Sequence, residues 1–215
     1  MLESLAVLEG DVLFLLNWAA GAQPLGAVLG HERVLLGFPT DGGTMDDDVV
    51  RYRAANFLTR RVAMPIGEPD GRTAPNESTP RLERIVRALR TAGINAKAEP
   101  RMDAWLRTHA AFAEPLGQAA YAAGGPVALA GDRDAVRGML RLMRQNLAAL
   151  ATPPVPRGFA ALRTLPEGLL VALLRRFLRS PTAVQSGLSD TSPATAAELQ
   201  RLAEQIRAGT RTRSQ

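Results

Sequence analysis

The chain has 215 residues, 46% of them hydrophobic and 22% charged, which is enough apolar material for a sizeable core. With no cysteine and only two histidines, it is excluded from disulfide scaffolds and thiolate metal sites, and no metal site is expected. The net charge of +5 does not indicate nucleic acid: Lys97 is the lone lysine among 26 basic residues, the arginines lie beside acids as in Arg81-Leu82-Glu83-Arg84, and no basic run is interleaved with aromatics.

Leu2 to Glu9 reads as the end of a helix, without the basic start of a secretory signal. Gly10-Asp11 is a turn, and Val12 to Leu16 is a short apolar run of the kind found in strands buried on both faces of a parallel sheet. Pro24 to Leu29 fits a short helix, Arg33 to Phe38 a second strand, and Asp41-Gly42-Gly43 a turn. Arg61 to Glu68, with Pro65 inside it, reads as an edge strand followed by a turn at Asp70-Gly71. Ser78-Thr79-Pro80 starts a helix whose inner face is Leu82, Ile85, Val86 and Leu89; Gly93 closes it and Ile94 to Ala98 is a last strand.

From Met102 the pattern turns helical. One helix spans 103–122 up to Gly124-Gly125, and another follows Gly131-Asp132 with Val136, Met139, Leu140, Met143, Leu147 and Leu150 inward. Thr152 to Pro156 breaks the chain, 165–178 and 194–207 are the last helices, and 209–215 should fray. The longest apolar runs, Val12 to Leu16 and Leu169 to Leu174, fall far short of the ~20 residues a membrane span needs, so a soluble cytoplasmic protein is expected.

Few residues can carry chemistry. Asn17 follows the first strand, where it could cap the next turn or offer its amide to a ligand beyond the strand's carboxyl end. Trp105-Leu106-Arg107-Thr108-His109 opens the long helix; Arg107 and His109 stand about 200° apart around it. An arginine there can grip a carboxylate in bidentate fashion, and His109 can exchange protons near neutral pH unless it is structural. Ser186, Asp190 and Glu198 are spaced by four and then eight residues; Glu198 is equally readable as an ordinary acid near a helix start. Asp46-Asp47-Asp48 reads as a solvated turn, and Gly37 to Gly43 lacks the lysine of a phosphate loop.

Together these segments resemble the ketopantoate reductase (2-dehydropantoate 2-reductase) family, whose members reduce a 2-keto acid with NADPH. The likeness runs from about Leu5 to Gln205. It implies an α/β fold: a partial Rossmann-type parallel sheet over 1–99, then an all-helical domain like that of 6-phosphogluconate dehydrogenases over 100–208, and a flexible tail over 209–215. By resemblance Asn17 contacts cofactor and substrate, Ser186 binds the substrate carboxylate, and Glu198 positions the reacting oxygen or the catalytic lysine. Arg107 occupies that lysine's position, a non-conservative exchange because guanidinium does not give up a proton usefully. His109, matching a Trp-Leu-Lys-Thr-His form of divergent relatives, is the alternative proton carrier.

Other departures are Trp18 in place of a glycine, Ala111 and Glu114 where asparagines stand, and Gly187 and Ala197 around the last motif. Gly37 to Gly43 and Ile66-Gly67-Glu68 resemble a turn and a hairpin of these reductases and are expected to carry no chemistry. The family begins with a Gly-x-Gly-x-x-Gly loop, which these residues do not contain. The expectation is therefore a truncated NADPH-dependent 2-keto acid reductase whose activity is in question. The contrasting expectation is a non-catalytic binding or assembly protein, with a homodimer in view because exposed strand edges invite pairing.

Overall fold

The computed structural model describes residues 2–40, 42–46, 49–53, 62–69, 78–185 and 187–211. The chain forms two compact units, Met1–Arg107 and Thr108–Gln215. The first contains α1 (Leu2–Ala6), β1 (Val12–Leu15), α2 (Gln23–Leu29), a 3-10 turn (His31–Arg33), β2 (Val34–Gly37), β3 (Gly42–Asp46), β4 (Val49–Arg53), β5 (Met64–Gly67), α3 (Pro80–Thr91) and β6 (Ala96–Ala98). The division falls inside the long helix α4 (Met102–Ala123).

Four strands form one sheet in the order β1-β2-β5-β6, while β3 and β4 make a separate antiparallel ribbon. The sheet belongs to the expected α/β class with one difference: β1–β2 and β5–β6 are parallel but β2–β5 is antiparallel. Alternation of side chains sends Val12, Phe14, Val34 and Leu36 to one face, where α2 and the start of α4 supply Leu25, Leu29, Met102 and Leu106. Leu13, Leu35, Met64 and Ile66 pack on the other face against Leu82 and Val86 of α3. The result is a helix–sheet–helix sandwich.

Several local expectations change. The apolar run of β1 is covered on both faces but lies at the sheet edge, so its residues are only half-buried and Leu15 is 39% exposed. The strand expected at the edge, β5, is central and wholly buried. Pro65 is tolerated because Met64 N–H and Ile66 C=O bond toward β6, while Pro65 itself faces Phe38, just past the end of β2. There its carbonyl accepts from Phe38 N–H at 3.1 Å, and the donor it lacks falls outside the β2 ladder. Gly42 and Gly43 lie in β3 and not in a turn; Asp41, Asp47, Asp48 and the Asp70-Gly71 turn lie outside the described residues.

Helix α3 follows its sequence signals. Thr79 accepts from Leu82 N–H at 3.1 Å, and Gly93, at φ 84°, lets Gly93 N–H reach Arg90 C=O and Ile94 N–H reach Leu89 C=O. Arg33 binds α1 to the sheet through main-chain carbonyls: it donates to Gly10 at 2.8 Å, to Leu5 and Leu29 at 3.3 Å, and to Leu8.

Glu68, immediately after β5, is 4% exposed. It accepts from Thr79 Oγ1 at 2.6 Å and Arg81 Nε at 3.1 Å, and Arg81 Nη2 completes a bidentate pair. Arg81 also meets Asp11 at 2.9 Å and the Glu32 carbonyl. Burial by itself lowers the Arg81 pKa, but the hydrogen bonds and charges of Glu68 and Asp11 outweigh it and hold the guanidinium above its ordinary value. One ion cluster thus joins the ends of β1 and β5, the 3-10 turn and the start of α3.

The second unit continues α4 with α5 (Pro126–Gly131), α6 (Arg133–Ala148), a 3-10 turn (Arg157–Ala160), α7 (Ala161–Thr164), α8 (Glu167–Leu178), α9 (Pro181–Gln185) and α10 (Pro193–Arg211). Val136, Met139, Leu140 and Met143 of α6 interlock with Leu170, Val171, Leu174 and Leu178 of α8. Asp132 caps α6 by accepting from Asp134 and Ala135 N–H at 2.9 Å. Buried Thr108 accepts from Val155 N–H at 3.0 Å, anchoring the proline-rich break to α4. Helix α10 runs through Gly209 to Arg211, beyond the point where fraying was expected. No described helix is long and apolar enough to cross a membrane.

Because removing one partner strands a buried charge, Arg81→Ala is expected to lower unfolding free energy by about 3 kcal/mol in urea titration. Asp11→Asn, at the exposed end of the same cluster, should cost less than about 1 kcal/mol.

Candidate functional site

Within the first unit, Ala20, Gly21, Ala22, Gln23, His31, Pro69, Asp103 and Arg107 line a cleft of about 470 Å³. Its floor is made by the loop from β1 to α2 and by the first two turns of α4. The loop is braced by Trp18, whose indole N–H donates to the Gly21 carbonyl at 2.6 Å. Trp18 therefore has a structural task at the position where the resembled family has glycine. Gly21 sits at φ 76°, and an ideal Cβ there would lie 2.7 Å from Arg107 Nη2 and 3.6 Å from Asp103 Oδ1. Glycine suits both the left-handed backbone and the guanidinium that lies against it.

Asp103 and Arg107 are one helical turn apart, so both reach the same patch of loop. Asp103 is 6% exposed and Arg107 half-buried. The helix face they share continues into the core as Met102 and Leu106, both buried against the sheet. Trp105 stacks on Phe38 in a tilted pair, ring centroids 5.3 Å apart, which fixes the rotation of this first stretch of α4.

The other expected residues are placed as follows. Asn17, half-buried, opens the loop that ends at Gly21, but it does not line the cleft. His109 belongs to the second unit, where burial pushes its pKa down to about 4; it is a neutral imidazole at pH 7 and does not titrate there. Glu198 lies in α10, exposed, beside Leu199, which packs so tightly on α4 that a Cβ at Gly117 would be 2.5 Å from it. Ser186 lies outside the described residues.

Asp190 has a local role that its spacing did not reveal. It accepts from Ser192 N–H and Thr195 Oγ1, both at 2.9 Å, and so organises the start of α10 together with the Ser192 cap on Thr195 N–H. Glu114, near a position where the resembled family has asparagine, is raised in pKa by burial, against the lowering effects of Arg207 and a hydrogen bond with Asn146. It ties three helices of the second unit together.

Sequence reasoning missed His31 and Asp103. Asp103 was detectable as an acid four residues before Arg107. His31 had no local signal, because only the turn after α2 brings it to the cleft.

The strand–loop–helix unit at β1 and α2 invites comparison with a dinucleotide site, but its residues do not fit the pyrophosphate. Helix α2 has seven residues, no side-chain cap, and Pro24 in its first turn, where a phosphate would need N–H donors. The loop before it is held by Trp18. Among the described residues no His, Cys, Asp or Glu cluster could hold a metal ion.

The fold is reductase-like: an α/β layer followed by a mostly helical part. It is similar to the crystal structure of 2-dehydropantoate 2-reductase from Porphyromonas gingivalis W83, with a TM-score of 0.51 and 16% sequence identity over 83% of this chain. The chain spans 62% of that protein's length, and at this identity the likeness is one of fold. No protein-family model and no curated protein sequence matches the chain.

Two outcomes follow. Gly21→Ala should destabilise the fold by about 1 to 2 kcal/mol through strain and displacement of Arg107, read by denaturant unfolding. His109 has a folded pKa depressed from 6.5 to about 4, so its penalty is absent above pH 6.5 and grows as pH falls toward 4. Wild type should therefore lose up to about 3 kcal/mol more stability than His109→Gln between pH 7 and pH 4.

Proposed function

We propose that this chain handles the substrate in a ketopantoate-reductase-like oxidoreductase, binding a small 2-keto acid through Arg107. The observation that carries the reading is a guanidinium lying against Gly21 at the edge of a small-molecule-sized cleft. Arginine is suited to a carboxylate because its planar fork matches two oxygens at once. Asp103, one turn earlier, holds the local charge near balance, which favours a monoanion over a polyphosphate. The fold likeness to a 2-dehydropantoate 2-reductase supports the substrate class.

By resemblance the cofactor of such a reductase would be NADPH, and no step through it is assigned to the residues of this chain. The cofactor's phosphates would be held by a glycine loop that these 215 residues do not contain. Asn17, Ser186 and Glu198 remain proposed substrate contacts by resemblance, and the cytoplasm the proposed location. In this chain Arg107 binds and orients, and does not act as an acid.

The alternative, a non-catalytic binding or assembly protein, is favoured by one feature of the second unit. Helix α8 buries Leu170, Val171, Leu174 and Leu178, yet also exposes Leu169 (48%) and Leu173 (50%) on another face. A helix apolar on more than one side suits burial in an assembly, such as a homodimer. Sedimentation of wild type and Leu173→Glu separates the readings: a dimer lost on substitution favours assembly.

Calorimetric titration with 2-oxobutyrate tests the main reading. Saturable binding is expected, weakened at least about tenfold in Arg107→Ala, as loss of a charged hydrogen-bond pair requires. NADPH titration followed by nicotinamide fluorescence should give no saturable signal with this chain alone. Absence of keto acid binding would overturn the proposal.

A further inference from the structure

Gly26 lies inside α2, where glycine costs roughly 1 kcal/mol relative to alanine. The His31 ring packs beside it. An ideal Cβ at Gly26 would lie 2.1 Å from His31 Nδ1, 2.6 Å from Cε1 and 2.7 Å from Cγ. The Nδ1 corner of the imidazole is therefore pressed into the helix surface, and the opposite edge, which bears Nε2, is turned away from α2. His31 is exposed and lines the same cleft as Arg107 and Asp103. Contact with Gly26 on one side narrows the rotamers open to the ring and leaves its far edge free to meet a ligand.

We infer that His31 is a specificity-determining residue of the Arg107 cleft, donating from Nε2 to an oxygen on the carbon next to a ligand's carboxylate. The inference rests on the proposed function, since it takes Arg107 to hold that carboxylate. The cleft then reads two features of one small molecule: a planar carboxylate at the guanidinium and an adjacent carbonyl or hydroxyl oxygen at the imidazole. Simple fatty acids satisfy only the first. Asp103 is the competing acceptor for His31, and pairing between those two side chains would withdraw the donor from ligands.

The test compares 2-oxobutyrate with butyrate, which differ at that oxygen. Wild type should prefer 2-oxobutyrate by roughly two- to tenfold, the range of one neutral hydrogen bond. His31→Ala should bind both equally while keeping its thermal melt, and Arg107→Ala should lose both. A readout without substitution is the His31 ring resonance in wild type, which should move on adding 2-oxobutyrate and stay in place with butyrate. Equal binding of the two acids with that resonance unmoved overturns the inference alone. Binding of neither acid overturns the inference and the proposed function together.

Discussion

The distance between the start of α4 and the elements beneath it governs the first unit. At Gly67, the last residue of β5, an ideal Cβ would lie 2.2 Å from the Glu99 carbonyl and 2.6 Å from the Met102 Cβ. No larger residue permits the chain to cross there and begin its helix. Met102 and Leu106 can then sink into the layer that covers Val34 and Leu36. The same rotation presents Asp103 and Arg107 to the β1–α2 loop. Gly21 repeats the device on the other side, receiving the guanidinium where a side chain would otherwise stand. The cleft exists because two glycines allow close approach, one at a strand end and one in a loop.

Around that contact, rigidity comes from polar ties more than from long elements. Strands of three to five residues are too short to hold register by pairing alone. Arg81 spans the ends of β1 and β5, and Arg33 gathers the carbonyls that end α1 and α2. Both arginines are satisfied by several acceptors, which guanidinium geometry allows and an ammonium would match less well. The arginine-rich composition has a structural consequence here, since these side chains staple short elements together.

The departures from the reductase pattern fall into two kinds. Trp18 has a local task, bracing the loop after β1. Arg107, expected by resemblance at a lysine position, carries a guanidinium, which suits charge recognition better than proton transfer. Burial of His109 pushes its pKa down to about 4.

Much of the architecture was legible along the chain. Thr79, Gly93, Asp132 and Gly124 are cap and stop signals that act within a few residues, and α3, α4 and α6 start and end close to them. The apolar periodicity of α6 marked its buried face because a helix repeats every few residues whatever it packs against. What the sequence could not determine were relations between distant segments. Pro65 looked like an edge residue, yet β5 is central, because its missing donor falls opposite a residue beyond the end of β2. Val12 to Leu15 looked doubly buried, yet occupy the edge. Arg107 could be picked out from a local motif, whereas His31 and Asp103 acquired meaning only when α2, the following turn and α4 met at one cleft. Local hydrogen bonding and periodicity are written in neighbouring residues; strand order and the convergence of side chains depend on which elements pack together, and only the tertiary structure decides that.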